Sequence, residues 1–509
     1  MSWGVFMGMA PLEVITLGGL LLMIAEAFTK RREESDDRHV GPSSEMALAT
    51  AVTLFVGAIF AAAVWFVGPE KLEGVKSLAP YLLVDRFTTF VTFILCLGAG
   101  LASLLAGGYL PEHKLDRGEF YPLIIFSTVG AIILAASGDI LSLFLGLETM
   151  SLGVYAMTGF RRTSPRSTEA AVKYFLLGSF AAALLLYGAA LLYGQTGHTD
   201  FNGIRLALTT PAMTALKPNL GIVIIASALL LVGLAFKVSA VPFHMWTPDA
   251  YEGAPTPATG YMAVAVKTAA FAAFVRVLST ALGHPDMTSW GTGWPPVIAF
   301  LAVVTMTVAN FTAGRQESVK RMLAYSSIAH AGYVMVAVVA MPQGTAEAQS
   351  AILFYLLAYT VSTIGAFGTL ILCGSRGAEA VSYEDLAGLG KRHPAVAGAF
   401  SLFLLSLAGV PPTGGFFGKL NIVKAALGAG HNWLTIILLL NSVVAAYYYL
   451  RVLVFMYMRE PAPGAPLAKP MRSGYVASAL VLAGLAVLAL GAWPVIPLKV
   501  AFEAAFAAK

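Results

Sequence analysis

The sequence predicts an all-α polytopic membrane protein with about 14 transmembrane helices. Three observations carry that prediction. The chain is 58% hydrophobic and 12% charged, with mean hydropathy +0.77, whereas soluble domains carry about 25% charged residues. Apolar runs of the roughly 20 residues needed to span a bilayer recur along the whole length. The basic residues between those runs are concentrated on alternate loops.

Taken in order, the apolar runs fall at 10–28, 46–67, 85–107, 120–136, 139–159, 168–193, 220–240, 256–279, 293–313, 321–341, 349–373, 395–427, 432–457 and 474–497. Only Ser137, Gly138 and Asp139 separate the fourth from the fifth. The twelfth is too long for one straight crossing and contains Pro411, Pro412, Gly414 and Gly415. The first run is followed by Lys30, Arg31 and Arg32, the reverse polarity of a cleavable signal peptide, so it is expected to remain as a helix.

The odd-numbered loops hold 18 basic residues and the opposite side holds 6. Cytoplasmic loops carry the excess of Lys and Arg, so both termini are expected on the periplasmic side of an inner (plasma) membrane. Cys96 and Cys373 sit inside apolar runs and read as buried small side chains, not as a disulfide or metal pair. There is no long hydrophilic loop, nucleotide-binding glycine motif, CxxC or His/Cys ligand spacing. No soluble catalytic domain, cofactor site, metal site or nucleic-acid partner is therefore expected on this chain.

The seventh and twelfth runs both break at Val-Pro, in "SAVPFH" (239–244) and "LAGVPPTGGFFGK" (407–419). Proline removes a backbone donor and clashes with the preceding turn, so each helix opens there, at Pro242 and at Pro411 and Pro412. In a bilayer such backbone survives only where protein or water satisfies it. Matching broken helices point to inverted repeats with the transport site at the breaks. The expected organisation is a single membrane domain over 1–509. It comprises a three-helix segment at 1–119, five-helix repeats at 120–279 (helices 4–8) and 293–457 (helices 9–13), and a last helix at 474–497. Lys237 precedes its break and Lys419 follows its own, so the halves are not expected to be strictly equivalent.

Apart from Arg321, the first residue of its run and counted with the loops, eight basic residues fall within the runs: Arg86, Lys173, Lys237, Lys267, Arg276, Lys419, Lys424 and Arg451. An ionisable group at membrane depth costs about 2.5–3.5 kcal/mol on insertion scales, so each needs an account. Glu148 is near the middle of the fifth run, with no other charge between Asp139 and Arg161. It reads as a carboxylate paired with a membrane lysine, and Lys237 is the candidate partner. Lys267 lies about twelve residues into the eighth run, too deep to reach either surface at about 1.5 Å per residue. Lys419 lies just past the second break. Lysine can change its charge and arginine cannot, so a row of lysines with one glutamate suits proton relay. A pair at 4 Å is worth about 4 kcal/mol at an effective dielectric near 20. Loosening a Glu148–Lys237 pair would release a proton toward Lys267 and then Lys419.

Other groups leave two readings open. Lys173 follows Glu169 at i+4, which fits a helix-surface ion pair or a cytoplasmic-side modulator of the relay. His330, one turn after Ser326 and Ser327, fits a hydrogen-bonded core histidine or a relay group. His244 and Asp249 shape the first break, and His244 is a candidate modulator. Glu13, Glu26, Asp85 and Arg86 read as interfacial. On these residues the chain reads as a proton-translocating membrane subunit, of a pump or of a cation/proton antiporter, or as a scaffold; a scaffold leaves Lys267 unexplained.

The segments "GLETMSLGVYAMTGF" (146–160), "AVKYFLLGSF" (171–180), "GLAFKVSAVPFHMWTPDAYEGAPTP" (233–257), "KRMLAYSSIAHAGYVM" (320–335), "YEDLAGLGKRHP" (383–394) and "SLAGVPPTGGFFGK" (406–419) are similar to those of a known family. It is the antiporter-like membrane subunits of bacterial proton-pumping NADH–quinone oxidoreductase, respiratory complex I. "WTPDAYEGAPTP" resembles the N type more than its L and M relatives, and lysine at 419 agrees with the N or L type. The resemblance implies fourteen helices, two inverted repeats and one proton channel through Glu148, Lys237, Lys267 and Lys419. The family lysine near the start of the sixth helix matches Lys173. It also implies that NADH, FMN, iron–sulfur clusters and quinone belong to partner subunits. M-type and K-type membrane neighbours are expected, and through them a peripheral electron-transfer arm. The loops at 29–45 and 108–120 depart from the family pattern.

Overall fold

The computed structural model describes residues 2–28, 42–209, 218–374, 378–461 and 467–505. The basic residues Lys30, Arg31, Arg32, Arg38, Lys217, Arg376 and Lys509, and with them most of the 29–45 loop, lie outside the described residues. Twelve of the described helices are long and apolar enough to cross a membrane. They are Trp3–Phe28, Glu45–Val67, Arg86–Glu112, Ile140–Thr158, Pro165–Thr196, Leu220–Val238, Thr256–Ala281, Pro295–Ala313, Val319–Ala340, Thr345–Cys373, Asn432–Met458 and Gly474–Ala492. Two shorter apolar helices, Phe120–Ala136 and Pro394–Ala408, supply the fourth and twelfth positions, the latter continuing after a break as Gly414–Gly428. Every apolar run in the sequence thus corresponds to a helix, and no named strand occurs among the described residues. Both cysteines are buried and free.

Short polar side chains start many of these helices by accepting the backbone N–H groups that a first turn leaves unpaired. Asp85 accepts from Thr88 N at 2.8 Å, and Asp139 from Leu141 N at 2.6 Å. Ser164, Asn219, Ser318 and Ser473 cap the sixth, seventh, tenth and fourteenth spans. Asp139 therefore makes the three-residue linker between the fourth and fifth spans a true boundary. These two spans pack backbone to backbone. A Cβ on Gly130 would collide with Met150 N, and one on Gly146 would collide with Leu134 N.

The loops sort onto two faces. On one, Ser2 Oγ donates to Glu73 O, Leu83 N to Ala136 O, and Ile140 N to Thr199 O, while Arg86 pairs with both Glu70 and Glu503. On the other, Val319 N donates to Val381 O, Ser318 to Glu252, and Met471 N to Leu372 O. Among the described residues, even-numbered loops and both ends of the chain share the first face, and odd-numbered loops share the second, as an even number of crossings requires.

The two breaks are built alike. The first half of the seventh span ends with Ser239 in the left-handed region at φ 64°, and that of the twelfth ends with Gly409 at φ 85°. Three residues later each has a cis X-Pro bond, Val241–Pro242 and Pro411–Pro412. The backbone therefore aligns Pro242 with Pro412, one residue away from the register that matching the two Val-Pro pairs suggests. The freed backbone groups of the seventh span find protein partners. Val241 N donates to Thr305 Oγ1 at 2.9 Å, and Trp246 Nε1 donates to Phe236 O at 3.1 Å. The eighth span contains two π-helical stretches, Met262–Val266 directly before Lys267 and Val277–Ala281. Such widened turns are frequent at functional sites.

Candidate functional site

The structure divides the eight basic residues of the spans into two kinds. The arginines pin helix ends. Arg276 donates to Ala135 O and Thr88 Oγ1 and pairs with Asp85 at 2.7 Å, while Arg451 donates to the carbonyls of Gly314 and Gln316. Lys424 is exposed, and Lys173 is nearly half exposed. Lys237, Lys267 and Lys419 are buried at 1%, 2% and 8% exposure. Among the described residues, none of these three has a carboxylate within 4.0 Å.

Lys237 occupies the last turn before the first break. Its Nζ donates to Ser151 Oγ at 2.7 Å and to Tyr155 OH at 3.3 Å. These residues lie three and seven positions after Glu148, on the same face of the fifth span. Glu148 itself is half-buried, and its Oε1 has no hydrogen-bond partner among the described residues. The sequence places Glu148 and Lys237 as a direct pair. The structure keeps them within electrostatic reach but sets the Ser151 and Tyr155 hydroxyls against the ammonium instead.

Lys267 donates to Ser327 O at 2.5 Å and to Ser327 Oγ at 2.6 Å. The adjacent Ser326 shares a hydrogen bond with Tyr449 OH. His330 continues the line, sharing hydrogen bonds with Tyr449 OH through Nε2 at 3.0 Å and with Tyr355 OH through Nδ1 at 2.5 Å. A small cavity of about 10 Å³, bordered by His330, Tyr355, Ser362 and Lys419, comes next. That is the lower bound for holding one water. Lys419 reaches back across its break and donates to Ala408 O at 2.8 Å. Its ammonium therefore sits at the carbonyl-rich C-terminus of the preceding half-helix, where a cation is favoured. Although Lys237 precedes and Lys419 follows its break in the chain, both ammonium groups lie beside the end of a first half-helix. Each also lies near a tyrosine ring, Lys237 5.3 Å from the Tyr155 centroid on the fifth span and Lys419 5.1 Å from that of Tyr333 on the tenth.

The remaining candidates lie off this line. Lys173 pairs with Glu169 at 2.6 Å and Asp249 at 3.0 Å, and Asp249 also pairs with Arg321 at 3.0 Å. This group lines an open polar pocket of about 340 Å³ on the odd-loop face. His244 lies in the turn of the first break; its carbonyl accepts from Thr247 N, and its Nδ1 has no hydrogen-bond partner among the described residues. Pro242, Pro411 and Pro412 are exposed at the outer side of their breaks.

Sequence reasoning missed one buried cluster. Lys320, one residue before the tenth run and so among the basic residues counted in the loops, is 1% exposed and pairs with Glu379 at 3.2 Å. Glu379 also accepts from Thr256 Oγ1 at 2.9 Å and from Tyr109 OH, which in turn accepts from Arg161. Burial pushes the Glu379 carboxyl up, but the Lys320 ammonium and the two hydroxyls outweigh it and hold it down at about 2. Nothing local marks Glu379, because its partners lie 59 to 270 residues away. No group of three or more His, Cys, Asp or Glu side chains suited to a metal occurs among the described residues.

Comparison with known proteins identifies the family of the chain. The transmembrane family of NADH:quinone oxidoreductases and Mrp antiporters matches residues 137–445. NADH-quinone oxidoreductase subunit N 1 of Sorangium cellulosum is 70% identical, with both chains covered in full. A chain of respiratory complex I from Thermus thermophilus is 33% identical, with 96% of this chain and 98% of that chain covered and a TM-score of 0.76. A chain of the Mrp complex from Dietzia superposes at a TM-score of 0.82, covering 99% and 97%, but its 21% identity establishes only the shared fold. The chain belongs to the NADH:quinone oxidoreductase/Mrp antiporter transmembrane family and, within it, to the subunit N group of the NADH-quinone oxidoreductases.

Proposed function

We propose that this chain moves protons across the inner membrane along the line Glu148, Lys237, Lys267, His330 and Lys419, driven by quinone reduction elsewhere in the complex. The observation that carries the reading is the set of three buried lysines held by hydroxyls and carbonyls with no carboxylate in contact. A lysine bonded only to neutral acceptors can give up its proton without leaving a buried counter-charge behind. Glu148 acts at a distance, and its approach to or retreat from Lys237 sets when that lysine lets go. His330 lies between Lys267 and Lys419 and hands the proton on, while Lys173 and His244 modulate.

The two five-helix units, 120–279 and 293–457, supply one break each; the segment 1–119 and the helix at 474–497 flank them. Both termini face the periplasm. NADH, FMN, iron–sulfur clusters and quinone are bound by partner subunits. M-type and K-type membrane subunits adjoin this chain and link it to the electron-transfer arm.

The test is Lys267→Ala in the assembled complex reconstituted into liposomes, following NADH-driven quinone reduction and proton uptake together. Pumping and coupled turnover are expected to fall roughly a hundredfold with assembly intact. Unchanged rate and stoichiometry would remove Lys267 from the path.

A further inference from the structure

The line from Lys267 to Lys419 is nearly continuous, but no direct hydrogen bond joins Lys237 to Lys267. Between them lie three buried tyrosines: Tyr174 and Tyr251 at 0% and Tyr359 at 6% exposure. The hydroxyl of each is buried and lacks a hydrogen-bond partner among the described residues. Buried polar groups in native proteins are almost always satisfied, by protein or by ordered water. Three such hydroxyls lie close together here, and each is a position that a small polar partner would satisfy.

Their order in space is set by their neighbours. Tyr174 packs edge-on against Tyr155, a ligand of Lys237, with centroids 4.7 Å apart. Tyr174 stacks on Trp246 at 4.2 Å, and Trp246 meets Tyr251 edge-on at 6.2 Å. Tyr251 lies within electrostatic reach of both Tyr174 and Tyr359. The hydroxyls of Tyr251 and Tyr359 both face Ser327, the residue that holds Lys267, without closing a direct bond to it. Tyr359 also packs 5.1 Å from the His330 ring. Trp246 and Tyr251 ride on the short helix Trp246–Gly253 just past the first break, so the break delivers two elements of the bridge.

We propose that the hydroxyls of Tyr174, Tyr251 and Tyr359 hold the ordered waters that bridge Lys237 to the Lys267–Ser327 pair, which makes these three tyrosines positioning residues for that proton step. The inference rests on the relay proposed above. In the transfer, the Lys237 ammonium gives one proton to the nearest water, and each water passes a proton forward as it receives one from behind. Lys267 takes the last, so one proton moves and no hydroxyl changes its net charge.

The experiment uses Tyr174→Phe, Tyr251→Phe and Tyr359→Phe in the assembled complex in liposomes, with Lys267→Ala as reference and Tyr187→Phe, on the exposed face of its helix, as control. Each buried Phe variant keeps the ring and loses only the water-binding hydroxyl. Coupled proton uptake is expected to fall by about tenfold, less than the roughly hundredfold that a proton-transferring group itself contributes. The solvent deuterium isotope effect on coupled turnover is expected to rise, a readout that altered packing alone does not move. If Lys267→Ala blocks pumping while all three Phe variants pump with a normal isotope effect, the bridge is wrong and the relay stands. If Lys267→Ala also pumps normally, the relay itself fails. An experimental density map of the complex gives a check without substitution. Waters within about 3.2 Å of the three hydroxyls support the bridge, and dry hydroxyls overturn it.

Discussion

Lys320 with Glu379 and Lys237 with Glu148 are two buried lysine neighbourhoods with opposite designs. The first is closed: ammonium and carboxylate touch at 3.2 Å, and Thr256, Tyr109 and the carbonyl of Ala254 take up remaining hydrogen-bonding capacity. The second is open: the lysine is held by hydroxyls, and one oxygen of the glutamate has no hydrogen-bond partner among the described residues. A closed pair holds its proton because removing it would strand a buried carboxylate. In an open pair the lysine can lose its proton without stranding a carboxylate in contact with it. The closed pair joins the third, eighth and tenth spans to the loop at 374–393, whereas the open one stands at a helix break.

The comparison can be broken at either end. The largest effect is expected from Glu148→Ala, which removes the charge proposed above to control Lys237. Coupled proton pumping should fall at least about tenfold in proteoliposomes with the complex assembled. Normal pumping would mean that Lys237 does not depend on Glu148. Glu379→Ala should act on stability, because it leaves Lys320 buried without its counter-charge. The expected loss is about 3–5 kcal/mol, read as a lower dissociation or unfolding temperature of the solubilised complex. An unchanged temperature would show that the closed pair is not a fastener. The same group carries a pH signature. Its folded value, about 2, lies below its ordinary 4.5, so its stabilisation is complete above that ordinary value and is lost as the pH falls from there toward 2. The pH dependence of the unfolding temperature over that window should flatten in the alanine variant. The smallest effect belongs to Lys173→Ala, whose exposed ion pairs are worth under about 1 kcal/mol. A fall of no more than about fivefold in coupled turnover is expected, and complete loss would move Lys173 into the path.

Much of this was legible in the sequence, because membrane solvent leaves few options for the backbone. The helices, their alternation and both breaks follow from apolar runs, loop charge and two proline motifs. The buried lysines stand out because each is expensive in a bilayer. Their partners do not stand out. Ser151, Ser327 and Ala408 are ordinary residues until tertiary packing brings them against Lys237, Lys267 and Lys419, across separations of 86, 60 and 11 residues. Lys419 also shows that order along the chain misleads: its side chain recrosses the break, which restores a likeness between the two breaks that the numbering hides. Glu379 was invisible because its significance lies entirely in long-range partners.

The widened turn at Met262–Val266 has a further consequence for comparing relatives. A π turn takes up about one residue more than an α turn, so the helix beyond it is rotated by roughly 100° relative to an unbroken one. A helical wheel drawn with the ordinary period across this stretch puts Lys267 on the wrong side. A relative whose chain is one residue shorter between 262 and 266 would point its aligned lysine at a different neighbour. Alignment column and position in space part company at this turn, and relatives here are better matched by geometry than by counting.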